Sequence, residues 1–251
     1  MNQINLPKVI DAKLAEIFGI IVGDGYIRNK SPWWISVEGG KEEKDYIDER
    51  VAPLFSKTFK IKVIPRFFDR HGKKDDDYGI LIHSKKLVEF FTSYNLTTYH
   101  DFIEVPKIIL ENKKFWSHFL RGYFDTDGYI NFFTHNGIYN SYPRIGANTV
   151  SEKLANQIVW MLRNLGFKLS FWSYKPKKGN RKRIYRFEMK GKPNLEKWFS
   201  EIGFKNPIKI SRYLIWKKYG FCPSYTTFQE RKDILNKDLN IGLLIDKHKP
   251  W

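Results

Sequence analysis

The chain repeats itself once. The segment IFGIIVGDGYI at 17–27 lies over LRGYFDTDGYI at 120–130 at a shift of 103 residues, which superposes Gly19 on Gly122, Asp24 on Asp127, Gly25 on Gly128, Tyr26 on Tyr129 and Ile27 on Ile130. In both copies a helical apolar pattern runs in, an Asp-Gly ends it, and alternating residues follow. A repeat this long is not a solenoid period. The predicted organisation is two similar half-domains, 8–110 and 111–219, with a C-terminal extension at 220–251 to which no role is assigned.

Asp11 is placed to cap a first helix whose apolar positions Leu14, Ile17, Phe18, Ile21 and Val22 follow helical spacing. Ala15, Gly19 and Gly23 form a second ridge of small residues at spacing four. Two interior glycines each cost a helix up to about 1 kcal/mol, and close approach of another backbone is the compensating reason. The second copy keeps Gly122 but has Thr126 in place of Gly23 and His118 in place of Ala15, so the ridge there is bulkier and the packing tight but asymmetric. After each Asp-Gly the pattern reads strand, strand, helix, strand, strand, helix: 26–30, 33–38, 41–58, 60–70, 77–83 and 84–94 in the first unit, then 129–134, 143–149, 151–165, 167–175, 183–190 and 193–202 in the second. Gly166 and Gly203 stand at helix C-cap positions, and a further helix is expected over 204–219.

Lysine and arginine number 44 against 27 aspartates and glutamates, a formal charge of +17, and hydrophobic residues make up 42%. That combination describes a folded basic protein meeting a polyanion across a face, with nucleic acid as the first expectation and no membrane segment. The N-terminus lacks an apolar signal core, so the chain is read as unsecreted. Cys222 is the single cysteine and the six histidines form no ligand pair, so any bound metal is expected to be a hard cation on carboxylate oxygens.

Two glycine-bearing helices, each ending in an acidic residue before glycine, resemble the LAGLIDADG homing endonucleases, whose nine-residue motif corresponds here to IFGIIVGDG (17–25) and LRGYFDTDG (120–128). The resemblance covers nearly the whole chain and matches the single-chain, two-motif type. It implies an α+β fold: two pseudo-symmetric αββαββα half-domains with antiparallel DNA-binding sheets, packed through the motif helices at Gly19, Gly23, Gly122 and Thr126. It further implies a monomeric, sequence-specific double-strand DNA endonuclease. Asp24 and Asp127, with the carbonyls of Gly23 and Thr126, would hold Mg²⁺, for which Mn²⁺ would substitute. The spacing independently makes the two carboxylates neighbours at the negative ends of two helix dipoles, an arrangement that a divalent cation relieves.

Polar helpers around the metal are expected at Glu38 and Asn148, with Lys190 and Lys209 as electrostatic partners; Asp125, whose counterpart is Val22, reads as a solvated or rim carboxylate. The segment HDFIEVPKII carries Ile103 and Glu104 where the family often has a lysine, so the basic helper on that side is not identified. Within 60–70, Lys60, Lys62, Arg66 and Arg70 alternate with Ile61, Val63 and Phe67, and Arg186 and Lys190 alternate with Tyr185, Phe187 and Met189. Together with Arg28, Lys30, Asn131, Arg144 and Lys168 these form the candidate DNA-contacting set. Two nine-residue strands in tandem, each about 30 Å long, would cover on the order of twenty base pairs. No splicing signals flank the unit, so a free-standing or intron-encoded enzyme is expected, acting in a prokaryotic cytoplasm or an organelle. The alternative on the same fold is a non-cleaving maturase that binds intron RNA.

Overall fold

The computed structural model describes residues 4–70, 73–96, 102–177, 181–239 and 241. The chain begins with α1 (Ala12–Asp24), which leads directly into β1 (Gly25–Arg28) and β2 (Trp34–Gly40). A helical run over 41–59 follows. It consists of a 3₁₀ turn (Lys41–Glu43), α2 (Lys44–Tyr46), a π-helical stretch (Ile47–Val51) and α3 (Ala52–Phe59). The first unit closes with β3 (Arg66–Arg70), β4 (Lys73–His83) and α4 (Lys85–Thr92). After the short α5 (Lys107–Leu110), the second unit runs α6 (Trp116–Thr126), β5 (Gly128–His135), β6 (Ile138–Thr149), α7 (Glu152–Asn164), β7 (Leu169–Tyr174), β8 (Ile184–Lys190) and α8 (Lys192–Glu201). Two more helices, α9 (Pro207–Tyr219) and α10 (Phe228–Asn236), pack on each other.

The fold is α+β. The strands form two four-stranded antiparallel sheets with the same order, β1-β2-β4-β3 and β5-β6-β8-β7. Their inner faces carry Ile27, Ile35, Val37, Ile80 and Ile82 in one unit and Ile130, Ile145, Ala147, Phe187 and Met189 in the other, all buried. The caps follow the sequence: the Asp11 carboxylate accepts from Leu14 N–H at 2.9 Å, and Gly166 and Gly203 take positive φ.

Helices α1 and α6 lie side by side and parallel at the centre. A Cβ on Gly19 would collide with the Phe119 carbonyl oxygen, and one on Gly122 with the carbonyl of Glu16, so each helix presses backbone on backbone at these residues. Gly23 faces the Thr126 side chain, whose hydroxyl fills the space a Cβ would need. The asymmetry seen in the sequence is therefore complementary: a threonine on one helix requires a glycine on the other. Because α1 is sandwiched, it is buried all round. Ile20 and Glu16 are as covered as the amphipathic stripe, with the Glu16 carboxylate gripped by Arg50 from the π-helical stretch at 2.6 and 2.5 Å and approached by Arg121 of α6 at 3.5 Å. An ion pair this buried is costly to break by removing one partner.

One strand starts later than its alternation implies. Lys60 adopts a left-handed conformation that ends α3, and the chain then wraps the end of that helix, with Ile61 N–H donating to the Ser56 carbonyl and Val63 N–H to the Ser56 hydroxyl. Lys60 and Lys62 are exposed because Ile61 and Val63 turn inward against the core, which mimics a strand's period without any strand pairing. The extended ladder begins at Arg66, and Phe67 is 42% exposed and packs edge-on against Tyr78.

The backbone contact between α1 and α6 sets an expected outcome. Gly19→Ala or Gly122→Ala should lose about 1–3 kcal/mol in denaturant unfolding through overpacking against backbone, whereas Gly40→Ala, where a Cβ meets nothing, should stay within about 0.5 kcal/mol.

Candidate active site and nucleic-acid face

The parallel packing of α1 and α6 delivers both motif aspartates to one edge of the helix pair. Asp24 is partly buried, Asp127 is exposed, and the Asp127 charge bears on Asp24. Burial first, then the charges of Asp127 and Glu43, push the Asp24 carboxyl up to about 7, against an opposing pull from Lys209. Glu43 is held there by Asn206, whose amide donates to it at 2.9 Å. Below the pair the Tyr46 and Tyr123 hydroxyls are fully buried without a hydrogen-bond partner among the described residues.

Lys209, the first in-facing lysine of α9, reaches back to the end of α6. Its ammonium donates to the carbonyls of Phe124, Asp125 and Thr126 at 2.6, 2.6 and 2.8 Å, satisfying the acceptors that a helix leaves open at its C-terminus. The amino group is buried, which lowers its pKa, while Asp125, Glu43, Asp24 and Asp127 favour its charged form. This arrangement brings the Lys209 charge to bear on Asp24 and Asp127.

Asp125 departs from its expected place at a solvated rim. It is fully buried, accepts from the N–H groups of Lys205 and Asn206 at 3.0 Å, and is pushed up to about 7 by burial against the pull of Lys209 and those two amides. The carboxylate fixes the entry to α9, so it needs a partner that only the folded second unit supplies; the single-copy asymmetry with Val22 was the available signal. Asn206, which bonds both Asp125 and Glu43, and Glu43 itself were not singled out from sequence, since neither lies in the duplicated segment.

The strand registers place the remaining candidates. Gly25 pairs with Val37 and Gly128 with Ala147, so Glu38 and Asn148 each stand one residue beyond those pairs on the second strand of their sheet, where Glu38 pairs with Gly79 and Asn148 with Arg186. Lys190 does not join them. It pairs with Arg144, four residues from Asn148 along the strands and so about 13 Å away, and Arg186 occupies the position across from Asn148. The outer face of the second sheet carries Tyr129, Asn131, Arg144, Arg186 and Lys190 around a buried acid, Glu188. That carboxylate accepts from the Tyr129 hydroxyl at 2.6 Å and Arg186 at 2.8 Å, with Arg144 and Lys190 at 3.7 and 3.6 Å. Burial pushes it up, and the Tyr129 hydroxyl and the Arg186 and Arg144 charges outweigh burial to hold it below the ordinary carboxylate range. Trp172 lies under both Arg186 and Lys190. In the first sheet, Arg28 pairs across from Trp34 on the outer face, with Arg66 on the far strand, while Lys30 and Lys168 are exposed just outside their strands; the side chain of Arg70 lies outside the described residues.

The donor atoms at the aspartate pair are all oxygen, and the Asp24 carboxyl is raised by burial and by the charges of Asp127 and Glu43, which fits a hard divalent cation. Among the described residues no group of three or more histidine, cysteine, aspartate or glutamate side chains is arranged to hold a metal, so the remaining ligands of such an ion would be water and phosphate. The Thr126 carbonyl already accepts from Lys209 and keeps one lone pair. No helix among the described residues is long and apolar enough to cross a membrane.

Residues 115–203 match the sequence profile of the LAGLIDADG-like domain. The chain is 30% identical over 204 residues to the replication factor C small subunit of Methanocaldococcus jannaschii, covering 80% of this chain and 10% of that protein. It is 25% identical over 218 residues to glutamine–fructose-6-phosphate aminotransferase of the same organism, covering 84% of this chain and 18% of that protein. It thus spans only about a tenth to a fifth of the length of these curated relatives. Among solved structures it is similar to a variant of the homing endonuclease I-DmoI, with a TM-score of 0.54 at 18% identity over 76% of this chain and 95% of that one. I-DmoI in complex with DNA and Mn gives 0.52 at 18% identity over 76% and 96%. The homing endonuclease I-WcaI bound to its DNA recognition sequence gives 0.51 at 16% identity over 76% and 80%.

Linkage gives the aspartate pair a measurable signature. An unfolded Asp24 ionises near 3.8 and the folded one near 7, so the native state holds the extra proton and stability falls as pH rises between those values. Asp24→Asn should therefore raise the melting temperature in EDTA at pH 8 and leave it nearly unchanged at pH 4.

Proposed function

We propose that this chain, which belongs to the LAGLIDADG family, is a monomeric, metal-dependent, site-specific double-strand DNA endonuclease. The observation that carries the reading is the pair Asp24 and Asp127, brought together at the ends of two packed helices, each of which leads directly into a sheet. Asp24 and Asp127 would hold Mg²⁺, or Mn²⁺ in its place, with the Gly23 and Thr126 carbonyls alongside. Such an ion would supply Lewis-acid polarisation of the phosphate and a more acidic water. The chain's own residues do the rest. Lys209 keeps the end of α6 and its carboxylates in register, and Glu38 and Asn148, one residue beyond the pairs that Gly25 and Gly128 make with the second strands, would order water at the scissile phosphates.

Arg28, Lys30, Arg66, Asn131, Arg144, Lys168, Arg186 and Lys190, with Lys60, Lys62 and Arg70 at the margin of β3, would contact phosphates and base edges along a target of on the order of twenty base pairs. Glu188 pins three of these bases in place, so the second sheet presents a preorganised surface. The curated relatives carry names for unrelated activities and match this chain over only about a tenth to a fifth of their length, which supports a portable unit with an activity of its own. We place the gene in an intron or a free-standing frame, in a prokaryotic cytoplasm or an organelle.

Selection of cleaved sites from a randomised duplex library in Mg²⁺ tests the reading. With the selected target, Asp24→Asn or Asp127→Asn should abolish double-strand cleavage and keep binding in Ca²⁺; undiminished cleavage by the double variant would refute it. Binding should weaken with salt at a log–log slope between about −5 and −9, as six to ten phosphate contacts require. A flat dependence would remove DNA as the partner.

A further inference from the structure

We propose that the C-terminal extension completes a pocket for an unpaired DNA nucleotide at the outer end of the second sheet. The proposal rests on the reading that this sheet carries DNA, and it gives the extension a role. A cavity of about 840 Å³ opens where the β5–β6 hairpin and α9 meet residues 224 and 225. Phe133, 37% exposed, and Tyr225, 76% exposed, supply aromatic walls, and Arg144 and Arg212 supply cationic ones. The Arg144 guanidinium lies 4.0 Å from the centre of the Phe133 ring.

The extension is fixed in place by specific bonds. After Gly220 ends α9 in a left-handed turn, Cys222 N–H donates to the Asn140 carbonyl at 3.0 Å. The Asn140 side chain is buried. In the orientation that satisfies both ends of its amide, it accepts from the Ser224 hydroxyl at 2.6 Å and donates to the Phe132 carbonyl at 3.3 Å. Beneath this wall the Trp216 indole donates to the Ser141 carbonyl at 2.7 Å and stacks on Phe132, while buried Arg231 of α10 bonds the Ser211 hydroxyl of α9 at 2.9 Å. Tyr225 is thus carried on a braced turn.

A base inside a duplex has both faces covered by its neighbours, so a recess walled by aromatic rings selects a base that is out of the stack. The amide of Asn131 offers a donor and an acceptor to a base edge, and the guanidinium groups suit the phosphate. Asn131 and Arg144 pair across β5 and β6, so they belong both to the proposed DNA face and to the recess. Phe133 is six residues beyond Asp127, along the strand that leads away from it, about 20 Å or roughly six base pairs from the proposed cut.

The test uses the full chain in fluorescence anisotropy with three probes: an oligothymidylate of about eight nucleotides, the matching oligouridylate, and a blunt duplex of about twenty base pairs. Tyr225→Ala should weaken oligothymidylate binding by about 5- to 150-fold, the range for loss of one stacked base, and leave duplex binding within about twofold. Tyr225→Phe should restore binding, and Arg212→Gln should weaken it. Equal loss on single strand and duplex, or no loss on either, would overturn the pocket. Oligouridylate binding about tenfold tighter with the same Tyr225 dependence would overturn the choice of DNA. A chain that shows the Tyr225 dependence but binds no duplex would overturn the endonuclease reading and keep the pocket; duplex binding with no Tyr225 dependence would do the reverse.

Discussion

Everything in this structure depends on two helices touching backbone to backbone. Where Gly19 meets the Phe119 carbonyl and Gly122 meets that of Glu16, no side chain can stand between α1 and α6. A pair of helices held that closely and in parallel must end together. The carboxylates at those ends are then neighbours whatever their mutual repulsion, and the helix dipoles add to it. The cost appears in Asp24, whose carboxyl is pushed up to about 7. A divalent cation between the two carboxylates would relieve that repulsion.

The second dependence is on α9. Lys209 closes three carbonyls at the end of α6, and Asp125 two residues before Asp127 ties the start of α9 to the same place. At the end of α1, Val22 stands in the place of Asp125. The two halves are therefore alike in topology and unlike in electrostatics. The helix after the second unit serves as a brace for one half of the site and as the platform on which the C-terminal extension folds back.

Much of this was legible in the sequence because it rests on local pattern. The duplicated Asp-Gly gives the pseudo-symmetry, the glycine ridge gives the close helix contact, and left-handed Gly166 and Gly203 end helices where they should. The run 60–70 misled because Ile61 and Val63 bury themselves by wrapping a helix end, which has the same alternation as a strand. Asp125 misled for the opposite reason: its partners, the amides of Lys205 and Asn206, lie 80 and 81 residues away, so no window of sequence contains the interaction that buries it. Lys190 falls between these cases. Its strand and its outward face follow from period two, but its distance from Asp127 depends on a register that only the folded sheet fixes.

The central claim is that helix packing creates a metal site out of Asp24 and Asp127. Anomalous diffraction from crystals of the protein grown with Mn²⁺ and a DNA duplex tests it most directly. We expect anomalous density in contact with both carboxylates, lost in the Asp24→Asn, Asp127→Asn double variant. Manganese found only elsewhere on the chain, with the two aspartates facing Lys209 alone, would contradict it.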